Sequence, residues 1–193
     1  MKKILFYISS ILVLSGCFNL KTPLPQISYY DLSFAINTSE DCRISSHIGI
    51  AEIRASSTYD RPEIVYKTKQ SKIIALPQMQ WIDSPKNLLR QFLLKQFESS
   101  CIQASIPPFG GIKNDYLLKI ELLNFEIEQD SEDAEFAHIG FFYELLDLKS
   151  FKILESGIIE KKEKVTNEYI PAFKNVMQEA GNKLVKKLKI RAL

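Results

Sequence analysis

Tyr116-Leu117-Leu118-Lys119-Ile120-Glu121-Leu122-Leu123-Asn124-Phe125-Glu126-Ile127-Glu128 is the stretch whose reading decides the fold. Leu118, Ile120 and Leu122 alternate with Lys119 and Glu121, the period of two expected of a strand with one buried face. The phase then slips, and Leu123, Phe125 and Ile127 alternate with Asn124, Glu126 and Glu128. A slip of one residue would turn the apolar set to the opposite face, so a β-bulge near Leu122-Leu123 is the economical reading. The stretch therefore predicts a long, bulged strand with one face on a core.

The elements downstream fit around such a strand. Gln129 to Glu135 is an acidic loop, and Ile139 to Leu148 is apolar on both faces, as a central strand would be. Lys149-Ser150 turns the chain into a strand over Phe151 to Val165. Its far end, Glu160 to Lys164, is almost all charged, which suits an edge that must not pair with a neighbour. A long amphipathic helix ends the chain, with Phe173, Met177, Ala180, Leu184 and Leu188 on one face. Lys174, Gln178, Lys183, Lys186 and Lys187 lie opposite, and Pro171 fits only within the first turn.

Upstream, Ser84-Pro85 reads as the cap and first position of a helix. Its apolar stripe is Leu88, Leu89, Phe92, Leu93, Phe97 and Cys101, and a loop with Pro107-Pro108 and Gly110-Gly111 closes the unit. Glu63 to Thr68 and Ile73 to Leu76 form a hairpin. Ile44 to Ile53 is a strand, and Tyr30, Leu32 and Phe34 alternate within another over Ser28 to Phe34. Strands, helix, strands, helix with short connections predict an α+β fold: a mostly antiparallel sheet with two amphipathic helices packed on one face.

The first residues have a different character. Lys2 and Lys3 precede an apolar run from Ile4 to Leu14, then Ser15, Gly16 and Cys17, the three-part layout of a secretory signal. The run is too short for the roughly 20 apolar residues that span a bilayer. Leu14-Ser15-Gly16-Cys17 looks like a bacterial lipobox, in which the signal is removed ahead of a lipidated cysteine. The expected organisation is a cleaved signal over 1–16, a tether with Pro23 and Pro25 over 17–27 that starts at the lipid anchor on Cys17, and one domain over 28–193. Two or more lipid chains give stable membrane anchoring.

Removal of 1–16 leaves 177 of the 193 residues, enough for one domain with a sizeable core. It also reduces the 25 basic residues to 23, equal to the 23 acidic ones, so nothing points to nucleic acid as a partner. With Cys17 assigned to lipid, Cys42 and Cys101 remain as an even pair in an oxidising compartment. Either they are bridged, or they are two separate thiols.

Catalysis needs a nucleophile with a base or a metal cluster, and the sequence offers neither. Gly-x-Ser-x-Gly, His-Glu-x-x-His and glycine-rich phosphate loops are absent, so no catalytic residue, metal ligand or cofactor site is assigned. His47 stands at a strand start, and His138 lies near Glu132, Asp133 and Glu135, which reads as a solvated hairpin tip. Tyr59, Arg61, Pro62, Tyr66 and Trp81 are the candidate partner-binding residues, since aromatics and Arg are favoured at interfaces. The same rings could equally fill the core.

With Tyr29-Tyr30-Asp31-Leu32, Tyr59-Asp60-Arg61-Pro62-Glu63-Ile64-Val65-Tyr66-Lys67 and Trp81 ahead of a helix, the chain resembles the ABC-type transport auxiliary lipoproteins of the PqiC/YmbA type. Tyr59 replaces the usual Leu and Lys67 the usual Arg. The resemblance implies a periplasm-facing lipoprotein serving an MCE-type ABC system that moves phospholipid between membranes. It further implies an MCE-domain partner, a docking or sealing role without enzymatic activity, and assembly into a homo-oligomeric ring. Phe18 rather than Asp after Cys17 favours the outer membrane by the sorting rule of enteric bacteria. A pilotin or envelope-assembly lipoprotein of a secretion or lipopolysaccharide-export machine would share the anchor and the small domain.

Overall fold

A computed structural model describes residues 25–34 and 47–192. The strands are β1 (Ser28–Tyr30), β2 (His47–Ile50), β3 (Arg54–Ala55), β4 (Glu63–Lys67), β5 (Ile73–Trp81), β6 (Gln103–Ser105), β7 (Tyr116–Gln129), β8 (Glu135–Asp147) and β9 (Lys152–Lys164). The helices are α1 (Pro85–Ser99) and α2 (Tyr169–Ala192). The fold is α+β, as expected. By ladder length the sheet is mostly antiparallel, with β7, β8 and β9 forming a long meander.

β7 is the spine. One of its edges carries β8 along its whole length. The other carries β2, β3 and β4 in succession, all parallel to it, at Tyr116–Leu118, Glu121–Leu122 and Glu126–Glu128. β4 pairs with β5 antiparallel, and β1 closes that side of the sheet by running parallel to the end of β5. The alternation of apolar residues could not foretell these parallel pairings, because it reports faces and not partners.

The bulge falls where the phase slip puts it. Leu122 opposes Phe141 and Asn124 opposes Gly140, leaving Leu123 as the extra residue. Leu118, Ile120 and Leu122 therefore share the buried face with Phe125 and Ile127, while Leu123 turns outward. Their partners on β8, from Leu145 to Ala137 in alternation, continue the same face, and Ile159 of β9 extends it. Both helices cover this face. Phe173, Val176, Met177, Ala180, Leu184 and Leu188 of α2 are buried, as are Leu88, Leu89, Phe92, Leu93 and Phe97 of α1. Where the helices meet, Gly181 is needed for close approach: a Cβ there would stand 2.6 Å from the Phe92 ring.

Some boundaries differ from the expectation. Of the strand expected over Ile44 to Ile53, only β2 (His47–Ile50) forms; residues 51–53 lie outside any strand, β3 follows beyond the expected end, and the expected start lies outside the described residues. β5 continues past Pro77 to Trp81 because β5 carries extra residues between its two contacts with β4, with Gln78 at positive φ. Ser84 precedes α1, but its side chain makes no cap; Asp83 Oδ1 instead accepts from the Ser84 N–H and the Asn87 side chain. Cys101 is not on the α1 stripe. It sits beyond the helix at φ 61°, where its N–H bonds the Glu98 carbonyl and the Ile102 N–H bonds that of Phe97. That is a Schellman stop with Cys in the left-handed position that Gly usually takes.

Candidate functional site

The five candidate partner-binding residues do not form one surface, and two of them are core. Trp81 is fully buried beneath the helices, edge-on to Phe125 and Phe173 at centroid distances of 5.6 and 4.9 Å. Its backbone N–H bonds the Pro62 carbonyl, which ties the segment before β4 to the end of β5. Tyr59 is buried as well, with its hydroxyl donating to Glu126. Tyr66 is half-buried, and desolvation together with Glu135 pushes its hydroxyl up to about 12. Arg61 remains exposed, only 3.9 Å from Glu63, and Pro62 is half-buried. The bulk of the rings decides this outcome, since burying a large aromatic outweighs presenting its polar tip.

The face of the sheet away from the helices holds a polar cluster that the sequence did not reveal. Glu126 and His138 are cross-strand partners and both are buried. His138 Nδ1 lies 3.1 Å from Glu128 and 3.6 Å from Glu126, and Nε2 lies 2.7 Å from Glu160. His138 therefore faces the β7 and β9 carboxylates, and not Glu132 or Asp133 of the hairpin tip. Burial would raise the Glu126 carboxyl, but contacts with His138 and Tyr59, helped by Asn124, hold it below its ordinary range. Glu128 is likewise held down against burial by Lys162 and Lys67. Gly140 leaves room for Asn124, whose side chain donates to Glu126 at 3.2 Å.

This cluster acts as a strap across the sheet. It joins β4, β7, β8, β9 and the segment bearing Tyr59 through charge-assisted contacts. Two lysine ammonium groups already occupy the space beside Glu128, and among the described residues no group of three or more His, Cys, Asp and Glu side chains is arranged to hold a metal. His47, the other candidate, is half-buried and bonds Asp115 through its backbone.

A groove of about 700 Å³ opens where β2 gives way to β3, lined by Glu52, Arg54, Lys86, Lys119 and Glu144 among others. Arg54 pairs with Glu121 and Lys86 with Asp60, each at 2.7 Å, and Lys119 stands opposite Glu144 in the β7–β8 register. It offers no net charge to an anion. Among the described residues no helix is long and apolar enough to cross a membrane.

A family model described as ABC-type transport auxiliary lipoprotein component matches residues 30–188. The chain belongs to this family. A second model, the prokaryotic membrane lipoprotein lipid attachment site, matches residues 1–17 and so ends on Cys17, outside the described residues. The chain is thus a membrane-anchored envelope lipoprotein of the auxiliary transport family. Comparison with curated proteins gives no match. Among solved structures, a Xanthomonas campestris protein of the DUF330 family superposes with TM-score 0.72 at 16% identity, covering 82% of this chain and 92% of that one. An uncharacterized protein gives TM-score 0.63 at 13% identity, covering 86% and 98%. A hypothetical protein from Chlamydia trachomatis gives TM-score 0.50 at 7% identity, covering 76% and 100%. At these identities the likeness is one of fold.

Proposed function

We propose that this auxiliary lipoprotein is held to the outer membrane by lipid on Cys17 and docks or seals the periplasmic part of an MCE-type ABC phospholipid transporter, without enzymatic activity of its own. The observation that carries the reading is the family match over 30–188 joined to a lipid attachment site over 1–17. The ATPase, permease and MCE-domain protein are then separate chains, and this domain, over 28–193, works as a binding piece assembled as a ring of copies.

Deleting the gene should disturb outer-membrane lipid asymmetry and detergent resistance, and affinity capture of the lipidated protein should recover an MCE-domain protein. Intact lipid asymmetry together with capture of a secretin or an insertion porin would replace this role with envelope assembly. Mass spectrometry of the native protein should find residues 1–16 gone and acyl chains on Cys17; a bare thiol there removes the membrane address. Cys101 is disulfide-bonded, and with Cys17 lipidated we assign Cys42 as its partner. Titration of the unfolded, unreduced protein should find no free thiol; two would end the assignment.

A further inference from the structure

We infer that the outer edge formed by β1 and the exposed side of β5 is the surface that lies against the lipid bilayer. The inference rests on the lipid-anchor part of the preceding reading and is independent of which transporter is served. Eight residue steps separate Cys17 from Pro25, so the anchor is at most about 29 Å from the first described residue. A folded domain of this length is about 40 Å across. The chain enters the domain at β1, the outermost strand on this side, while β9 closes the opposite side. β8 is four ladder steps from β1 and β9 is five, the latter about 24 Å at ordinary strand spacing. The tether therefore enters the domain at the β1 edge, and the β9 edge lies about 24 Å farther across the sheet from that point.

That edge is apolar where a lipid-facing surface would be. Ile27 precedes β1 and shares the outward face with Tyr29 by the period of two; Tyr29 is 64% exposed. Ile82 follows β5, its N–H bonded to the Tyr30 carbonyl, and is 63% exposed. Ile73 and Ile74 begin β5 and are also exposed, in the part of the strand that β1 leaves uncovered. Lys72 stands exposed beside them. A tyrosine and several isoleucines beside a lysine are the combination that settles at a bilayer interface, with apolar parts among the acyl chains and polar tips at headgroup level. Pro77 in the middle of β5 denies this free edge a full row of donors, which discourages pairing with another strand.

The test uses the full lipidated chain in nanodiscs of phospholipid doped with a gadolinium-bearing headgroup lipid, with isoleucine δ1 methyls labelled for NMR. Ile27, Ile73, Ile74 and Ile82 should lose their signals, while Ile153 and Ile158 near the β9 edge keep theirs. Equal loss everywhere, or loss confined to Ile153 and Ile158, overturns the inference. So does the case in which the four edge methyls respond to protein concentration and not to gadolinium, which would make the edge a contact between copies. Lipidated protein that reaches the disc with its edge methyls undimmed defeats this inference alone; protein that carries no lipid defeats the anchor as well. An I73E/I82E variant that keeps the remaining methyl spectrum should recover the Ile27 and Ile74 signals.

Discussion

On the helix-covered face of the sheet, cross-strand neighbours run Leu122, Phe141, Ile159; one residue back along β7 on the open face they run Glu121, Phe142, Ile158. The first row is sealed by α2 and held by burial of apolar area. The second row is wet at its ends, and the part of that face which is buried, around Glu126 and His138, is held by charge. The difference teaches that one sheet can be stabilised in two ways: non-directional burial where helices supply a lid, and directed contacts where only a loop with one tyrosine covers the strands. Directed contacts depend on protonation and on single atoms, whereas burial depends on volume.

The largest effect is expected on the helix side. Trp81→Ala removes the ring that Phe125 and Phe173 pack against, themselves 5.0 Å apart and stacked. A cost of about 3–5 kcal/mol is expected, the sum of lost transfer energy and the cavity left behind. Urea unfolding with an unchanged slope checks it. A loss below about 1 kcal/mol would show that the lid is not what holds this face. The same loss at pH 4 and pH 7 would confirm that volume, and not charge, is at issue.

A smaller and pH-dependent effect is expected on the open face. Tyr59→Phe removes one donor from a buried carboxylate, a bond to a charged group worth about 1.5–3 kcal/mol. Glu126 is also met by His138, the Asn124 side chain and the Phe125 N–H, so the carboxylate is not left bare. Its folded value lies below the ordinary 4.5. Its contribution is therefore complete above that pH and lost as acid carries the solution down through the folded value. The gap between wild type and Tyr59→Phe should be constant from pH 7 to 5 and narrow below 4.5, towards the roughly 1 kcal/mol of a neutral hydrogen bond. A gap that widens in acid would reverse the sign of this argument.

The two faces were unequally legible in the sequence for the same reason. The helix face could be read because burial leaves a periodic mark: the slip at Leu122-Leu123 located the bulge, and the stripes of both helices named buried residues, apart from Cys101, which lies beyond the end of α1. Alternation sets Glu126 on the face opposite Phe125 and Ile127 but does not show that this position is buried, since it tells which residues share a face and not what covers it. The cover is Tyr59, which reaches Glu126 across 67 positions of sequence, a contact with no local signature. Its neighbours in the chain set His138 beside Glu132 to Glu135, whereas the antiparallel register sets it against Glu126 and Lys162. Trp81 and Tyr59 carried a recognisable segment, but a residue type enriched both at interfaces and in cores cannot by itself choose between them.

The finest test of the comparison uses adjacent residues of one strand. Ile158 and Ile159 have the same side chain and lie side by side in β9, yet Ile158 is 61% exposed on the open face and Ile159 only 1% exposed under α2. Ile159→Ala should cost about 2–5 kcal/mol, the range for a buried isoleucine. Ile158→Ser should stay within about 0.5 kcal/mol, as a surface substitution away from caps, turns and charge networks does. Ser lowers strand propensity slightly, which sets the sign of that small change. If Ile158→Ser cost as much as its neighbour, the open face would have to be covered in solution by something beyond this chain, and its stability would then fall as the protein is diluted. Unfolding measured at two protein concentrations a hundredfold apart separates these outcomes: a shared midpoint keeps the open face open, and a midpoint that moves with concentration closes it.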